Sequence, residues 1–309
     1  MSPTHILLQQ IVNGLSLGAI YALLALGFTL VYGILELINF AHFSVFVVGA
    51  MAGLLVLQAF GLQGQSVILH GAPLVLVLLA ALVAAMLACG LLGVLIERYT
   101  LRPLRAVTGP MAMITTIGVS YILVNLVLLL TRAQSLNYPD PLPAMTATFG
   151  GVTVSGKAVM IWIVAAILMI ALDRFVRRTR LGQAMRAVAQ DQEAARMMGV
   201  DVDRVILVTF FVASALAGAA GMIFGLYYNF ADYNIGYTAG LMAFTAAVLG
   251  GIGNIPGAML GGVIIGLIDT LGSQYIAAKW ADVIVFSILI GTLVFRPAGL
   301  LGALAPNRS

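Results

Sequence analysis

Nine long apolar runs fill most of this chain, and they constrain its fold more than any other feature. A hydrocarbon core about 30 Å thick takes about 20 apolar residues for each helical crossing. Inside that core every backbone N–H and C=O group has to bond within the protein, which leaves helices and closed barrels. Runs of this length predict an all-α, polytopic transmembrane bundle. They cover approximately 14–35, 43–60, 72–96, 111–131, 158–173, 205–230, 239–251, 256–272 and 282–299.

The composition of the chain excludes a soluble globular protein. Of the 309 residues, 62% are hydrophobic and 8% are charged, which leaves too little charge to cover a water-exposed surface. Spans of about 20 residues use up most of the length, so we expect one transmembrane domain over 1–309. The first apolar run lacks a basic start and is too long for a cleaved signal core, so we expect it to be retained.

Two stretches interrupt the apolar pattern. The run 239–251 is short for a full crossing, and GGIGNIPG at 250–257 separates it from the next run. The sequence ELINFAH at 36–42 separates the first two runs in a similar way. Breaks of this kind are typical of discontinuous or re-entrant helices, whose irregular backbone lines a cavity. We therefore predict eight or nine crossings with short broken helices.

The basic residues indicate the orientation of the bundle. Twelve of the fifteen Lys and Arg residues lie in three segments, 98–105, 174–204 and 296–308. Short loops rich in Lys and Arg stay on the cytoplasmic side. If 111–131 and 158–173 both cross, these segments share that side, and the loop 132–157 faces the other side.

One segment matches part of a nucleotide-binding motif. GVTVSGKA at 151–158 has the spacing G-x-x-x-x-G-K, but Ala158 stands where a Ser or Thr would hold magnesium. The segment also precedes a predicted span, whereas a phosphate-binding loop follows a buried strand in a soluble domain. A chance match is favoured, and we expect no ATP hydrolysis by this chain alone.

Residues for catalysis or metal binding are sparse. Glu36 and Asp269 are the acidic candidates at membrane depth, where a charge costs about 2.5–3.5 kcal/mol. We expect Asp269 near a water-facing helix end and not in a proton relay. The histidines are too scattered for a metal cluster and a single cysteine allows no intrachain disulfide; these residues are His5, His42, His70 and Cys89. We therefore expect no enzyme, no metal and no cofactor in this chain.

Small and polar residues within the runs indicate how the helices pack. Pairs of glycines four residues apart let helix backbones approach closely; they include 14/18, 221/225, 253/257, 257/261 and 262/266. Close packing is favoured over substrate contact for these pairs. The fourth run also carries polar side chains that could line a path or bond to other helices, and both readings stay open. They are Thr115, Thr116, Ser120 and Asn125.

The charged stretch DQEAARMMGVDVDR at 191–204 cannot lie in lipid and has to face water. If 182–198 is one helix, four residues fall within an arc of about 120° and form an apolar face that could dock into a groove. They are Met185, Val188, Ala189 and Ala195. Gly199 would end the helix in a left-handed conformation. Both signs of charge surround the face, from Arg186, Asp191, Glu193 and Arg196. Docking of a soluble partner is favoured over a solvated connector that only fixes topology.

The core of that stretch, EAARMMG at 193–199, resembles the EAA-x-x-x-G coupling loop of ABC importer permeases. RAVAQDQEAARMMGVDVDRV at 186–205 is similar to the version found in branched-chain amino acid permeases of the LivH type. NGLSLGAIYALLALGFTLVYG at 13–33, INFAH at 38–42 and AFTAAVLGGIGNIPGAMLGG at 243–262 resemble further signature stretches of that family in the same order. The likeness covers essentially the whole chain.

The resemblance implies a multi-pass permease subunit of the bacterial inner membrane. It implies a second homologous permease, two cytoplasmic ATPases that bind ATP and magnesium, and a periplasmic binding protein that delivers leucine, isoleucine or valine. No nucleic acid is expected. Substrate would cross by alternating access. Related permeases carry urea, amides or other amino acids, and an ion-coupled secondary transporter is the more distant alternative.

The resemblance also assigns candidate site residues. The loop 174–204 is the expected cytoplasmic coupling loop, and its ATPase contacts are Arg186, Asp191, Glu193, Ala194, Ala195 and Gly199. As polar groups at the first break, Asn39 and His42 are the candidates for the substrate path. Two departures stand out. Gln190 replaces the Glu that relatives often carry, and the Leu-Pro ending of the broader importer motif is missing after Gly199.

Overall fold

The computed structural model describes residues 3–62, 68–105, 110–143, 145–149 and 151–302; Arg308 of the predicted basic tail lies outside them. The chain is helical over most of this length. The helices are α1 (Pro3–Leu35), α2 (Ala41–Ala59), α3 (Ala72–Ile96), α4 (Met111–Leu130), α5 (Gly156–Arg178), α6 (Arg180–Gln190), α7 (Gln192–Met197), α8 (Val202–Tyr228), α9 (Ile235–Gly250), α10 (Ile255–Gly272) and α11 (Ala278–Phe295). Each of the nine predicted runs coincides with one helix, although five of the runs extend one to four residues past the end of that helix.

Seven helical segments of the described chain are long and apolar enough to cross a membrane. The last of them, Ile255–Phe295, contains α10, a π-helical turn and α11. Its two ends lie close together, since the chain after α11 returns to the chain before α10. The backbone N–H of Leu300 donates to the carbonyl of Leu249, near the end of α9, at 2.8 Å. The segment therefore passes twice. Together with α9, which is 16 residues long, the helices agree with the prediction of eight or nine crossings.

Glycines bring the inner helices into backbone contact. A Cβ atom added at Gly262 would lie 2.4 Å from the Cα atom of Ala22, and one at Gly266 would lie 2.3 Å from that of Gly18. These contacts join α1 to α10 along most of their shared length. The spacing of the glycines thus serves close packing, as predicted. Large apolar side chains are exposed instead on the outer helices, including Leu76, Leu87, Leu129, Ile167 and Leu293.

The three basic segments meet at one end of the bundle, called the basic end below. Arg102 and Arg105 follow α3, and they pair with Asp203 at the start of α8 at 2.6 and 2.7 Å. Arg296 follows α11. The residues after it bond to the last carbonyls of α9, those of Leu249 and Gly250. The predicted common side of these segments is confirmed for their described residues.

The opposite end holds the loop 132–157, as predicted, together with two small sheets that the sequence did not predict. They are the antiparallel pairs β1 (Leu136–Asn137) with β4 (Phe230–Ala231), and β2 (Thr146–Phe149) with β3 (Val152–Ser155). Lys157 of the partial nucleotide-binding motif donates to Asp140 and to Asn229, both at 2.7 Å. Its surroundings are a surface hairpin and a helix start, which supports the reading of a chance match.

Candidate functional site

The loop at the basic end forms two short helices, so the prediction of one helix over 182–198 is wrong. The break falls at Asp191, whose backbone is extended, with φ −158° and ψ 112°. Its carboxylate accepts hydrogen bonds from the backbone N–H groups of Glu193 and Ala194 at 2.9 and 3.0 Å. Asp191 therefore caps the N-terminus of α7, a position that aspartate favours because it satisfies otherwise unpaired donors. Thr179 caps α6 in the same way, through the N–H of Gly182.

The helix α7 ends at Gly199, as the sequence predicts. Gly199 has φ +84°, and its N–H donates to the carbonyl of Arg196 while that of Val200 donates to the carbonyl of Ala195, both at 3.0 Å. This pair of bonds is the Schellman motif, which requires a left-handed residue and therefore favours glycine. A Cβ atom at Gly199 would meet no atom within 4 Å. The glycine is thus needed here for its backbone conformation and not for space.

The apolar face predicted to dock a partner is turned inward. Met185, Val188 and Ala195 are only 3%, 1% and 4% exposed, because α6 packs against α1, α5 and α8, and α7 packs against α6 and α8. Of the four residues of that face, Ala189 is exposed. The face therefore holds the loop onto the bundle and is not free for a groove.

The most exposed large apolar residues of the loop are Met197 and Met198, which sequence reasoning missed. They are 82% and 84% exposed, at the end of α7 and at its C-cap. Methionine is flexible and polarisable and suits surfaces that adapt to a partner. Glu193 and Arg196 lie exposed beside them. The only signal in the sequence was a pair of large apolar residues before a glycine stop in a water-facing stretch.

The predicted coupling residues fall into two groups. Glu193 and Gly199 are exposed and Ala194 is half-buried, so these three are accessible on the surface of the loop. Ala195 is buried, and Asp191 acts as the cap of α7. Arg186 donates from its guanidinium to the carbonyl of Val176 near the end of α5. Asp191 and Arg186 are themselves exposed, so they shape the loop and remain accessible, whereas Ala195 is part of its packing.

The loop is tied to the first transmembrane helix. The side-chain amide of Gln192 donates to the carbonyl of Ile34 at 3.1 Å, one residue before α1 ends. The chain then breaks at Glu36, which has a positive φ of 51°. A displacement of α7 would therefore act directly on the end of α1 and on the break that follows it.

A cluster of four charged residues joins the start of α8, which follows the loop, to the segment after α3. The Glu97 side chain is 1% exposed and pairs with Arg105, and Arg105 in turn pairs with Asp203. Arg102 completes the cluster. Because a buried carboxylate is stable only when it is paired and hydrogen-bonded, these contacts fix the segment after α3 against the start of α8.

The first break places α2 deep inside the bundle. The imidazole Nε2 of His42 lies 3.3 Å from the carbonyl of Leu24. Leu24 is eleven residues before the end of α1 at Leu35, which places this contact about 16 Å along the helix axis from that end. The side-chain oxygen of Asn39 accepts a bond from the N–H of Ala41. Asn39 and His42 are 4% and 1% exposed. Both predicted path residues are thus packed within the break and hold its shape.

A cavity of about 360 Å³ lies beside this break, between α2, α4 and α9. Its wall combines aromatic and aliphatic side chains with three polar ones; the residues are Phe40, Phe43, Ser44, Ile117, Ser120, Tyr121, Val124, Tyr233, Asn234, Tyr237 and Leu241. Ser44 bonds to the hydroxyl of Ser120 at 2.6 Å, so Ser120 both lines the cavity and bonds to another helix. Thr116 accepts from the N–H of Phe40 at 3.2 Å. Thr115 and Asn125 bond to carbonyls of their own helix.

The acidic residue Asp269 lies three residues before α10 ends at Gly272. Its carboxylate accepts a hydrogen bond from the hydroxyl of Tyr21 at 3.0 Å, and the residue is half-buried. Its position near a helix end agrees with the prediction. Groups of three or more His, Cys, Asp or Glu residues that could hold a metal ion are not found in the described part of the chain.

A bundle of long apolar helices, with a water-exposed helical loop at one end and a cavity at a break in its interior, defines a multi-pass membrane protein of the transport type. A family model described as the permease component of the branched-chain amino acid transport system matches residues 10–293. The chain belongs to this family of permeases.

Individual relatives agree with the family model. The chain is 39% identical over 299 residues to the high-affinity branched-chain amino acid transport system permease protein BraD of Pseudomonas aeruginosa, covering 96% of this chain and 95% of that protein. It is 39% identical over 306 residues to the corresponding protein LivH of Escherichia coli, with the same coverage. A probable LivH of Methanocaldococcus jannaschii is 28% identical over 300 residues. No solved structure matches the chain.

Proposed function

We propose that this chain is the membrane permease subunit of an ATP-driven importer of branched-chain amino acids in a bacterial inner membrane. Its basic end faces the cytoplasm, in line with the distribution of Lys and Arg. The observation that supports the proposal most is the exposed loop 191–200 at that end, with Met197 and Met198 on its surface. The names of the relatives, which are permease proteins of branched-chain amino acid transport systems, support the substrate class.

The proposed complex contains partners that supply what this chain lacks. Two ATPase subunits bind ATP and magnesium and receive the loop through Met197, Met198, Glu193, Ala194 and Gly199. A second homologous permease covers part of the exposed apolar surface of the outer helices, and lipid covers the rest. A periplasmic binding protein delivers the amino acid to the end that carries the loop 132–157. The whole chain acts as one permease domain, within which 174–204 is the coupling loop.

The proposed mechanism is alternating access, with no bond made or broken in this chain. Closure of the ATPases moves the docked loop, and the bond from Gln192 to Ile34 passes this movement to the end of α1. The break after α1 then shifts beside the cavity, which opens to one side of the membrane at a time. Such a cycle requires loop contacts that differ between the two states, since a contact equal in both would shift nothing.

An ion-coupled carrier is the rival mechanism, and reconstitution separates the two. The chain is purified with its ATPases, placed in proteoliposomes and supplied with binding protein and labelled leucine. We expect uptake when ATP is supplied on the side of the membrane that carries the ATPases. We expect no uptake on a proton or sodium gradient without ATP. Uptake driven by either gradient alone would contradict the proposal.

Asp269→Asn is the matched variant for this assay. Asparagine retains an oxygen that accepts the hydrogen bond from Tyr21 but cannot carry a proton. We expect ATP-driven uptake to fall only modestly, because the hydrogen bond from Tyr21 is retained and the energy comes from ATP and not from a proton on Asp269. Loss of uptake in a variant that still assembles with the ATPases would make Asp269 a coupling site.

A further inference from the structure

We infer that the cavity between α2, α4 and α9 is the site that holds the amino acid during its passage, with the aliphatic side chain against the aromatic wall. The inference rests on the proposed function and adds the residues that contact the amino acid. The cavity differs from the path predicted at Asn39 and His42, whose side chains are packed inside the break.

The chemistry of the wall fits an apolar α-amino acid. One part is formed by the rings of Phe40, Phe43 and Tyr237 together with the side chain of Leu241, and such a surface accepts a branched aliphatic group. Small-molecule sites are typically apolar cavities of about 300–1,000 Å³ with a few placed polar groups. At about 360 Å³, this cavity is at the small end of that range.

The polar part of the wall is suited to the charged ends of an amino acid. Ser120 presents its hydroxyl from α4, and this hydroxyl is bonded at 2.6 Å to that of Ser44 on α2, which is itself 1% exposed. Asn234 immediately precedes α9, yet its side chain makes no cap bond to that helix, although asparagine is among the residues that cap best. Its amide therefore remains available to the cavity, where it can bond to a carboxylate or an ammonium group.

A second groove between the helices of the bundle lacks such polar groups. It has a volume of about 180 Å³ and lies between α3, α5 and α8. Every residue described in its wall is apolar: Val75, Leu78, Leu79, Leu82, Met160, Val164, Met222, Ile223 and Leu226. Such a groove suits a lipid chain, and polar groups at membrane depth are costly unless they serve a partner or a function.

The position of the cavity connects it to the coupling loop. Phe40 and Phe43 belong to the break and to the first turn of α2, and the end of α1 before that break is bonded to Gln192. The cavity is also open on one side, where Tyr121 and Tyr237 are each 68% exposed. The second permease subunit would close that side, so that the amino acid passes between the two permeases.

Two variants test the site in the reconstituted complex. Leu241→Trp fills the cavity and is expected to lower ATP-driven leucine uptake at least about tenfold, the effect of a group that fits a pocket poorly. Tyr237→Ala enlarges the cavity at little cost to folding, since this side chain is mostly exposed. It is expected to raise the ratio of phenylalanine to leucine uptake by about tenfold. Leu79→Trp in the apolar groove is the control and should transport leucine at the wild-type rate.

The outcomes separate this inference from the proposed function. Co-purification of the ATPases establishes that each variant is folded and assembled. Wild-type rates and an unchanged phenylalanine to leucine ratio in both cavity variants would overturn the inference, as would equal losses in Leu79→Trp. The proposed function fails by a different result, which is the absence of ATP-driven leucine uptake by the wild-type complex.

Discussion

Gly262→Val is expected to abolish the accumulation of folded permease in the membrane. The new side chain would begin 2.4 Å from the Cα atom of Ala22 and 2.5 Å from its backbone nitrogen. Because the obstacle is the backbone of α1, it cannot be relieved by a rotamer change. Overpacking of this kind typically costs about 1–3 kcal/mol, occasionally more, and the α1–α10 contact lies at the centre of the bundle. The measurement is the yield of monodisperse protein after detergent extraction and size-exclusion chromatography.

Gly291→Val in α11 is the matched control. A Cβ atom there would meet no described atom within 4 Å, while the change in helix propensity is the same in both variants. We expect a wild-type yield from Gly291→Val. Equal yields of monodisperse protein from the two variants would show that α1 and α10 do not pack in this way.

Gly199→Val is expected to uncouple transport while the permease still inserts and folds. Its backbone has φ +84°, a conformation that costs a residue with a Cβ atom about 1–2 kcal/mol. The Schellman bonds that end α7 would be lost, and with them the position of Met198. An energy of this size corresponds to a roughly 5- to 30-fold change in the population of the docked loop. The measurement is ATP-driven leucine uptake per ATP hydrolysed in proteoliposomes.

Gly199→Asn separates the backbone effect from the loss of the glycine itself. Asparagine tolerates the left-handed conformation better than other residues with a side chain, and the site has room for it. We therefore expect Gly199→Asn to remain close to the wild type. If valine and asparagine were tolerated equally, the shape of this turn would have no part in coupling.

The approximate number and position of the long apolar helices could be predicted from the sequence, because the hydrophobic pattern is local. The breaks at 36–42 and 250–257 were predicted on the same basis, since glycine, proline and polar residues within apolar runs mark irregular backbone. The turn at Gly199 followed from a glycine after a helical stretch. In each case the cause lies within a few residues of the effect.

The candidate site depends on contacts that the pattern does not contain. An apolar face such as that of Met185 and Val188 can serve a partner or the chain's own core, and only the position of α6 against the bundle decides between them. Asp191 was read as a charge at a docking surface, and its bonds to two N–H groups show in addition that it caps α7. The pairing of Arg105 with Asp203 and the cavity wall both join distant segments. A single sequence contains no signal for such contacts.

Cross-linking from Met198 tests the coupling role of the loop most directly. Met198→Cys is made in a Cys89→Ser background; Cys89 is buried and donates to the carbonyl of Val45, a bond that serine can also make. Asn137→Cys, at the opposite end, is the matched control. Each variant is expressed with the ATPase subunits and treated in membranes with a short cross-linker that carries a maleimide at one end and a photoreactive group at the other. The expected result is a covalent adduct with an ATPase from position 198 and none from position 137. Position 198 fully reactive towards a water-soluble maleimide in the assembled complex, without an ATPase adduct, would contradict the docking of this loop.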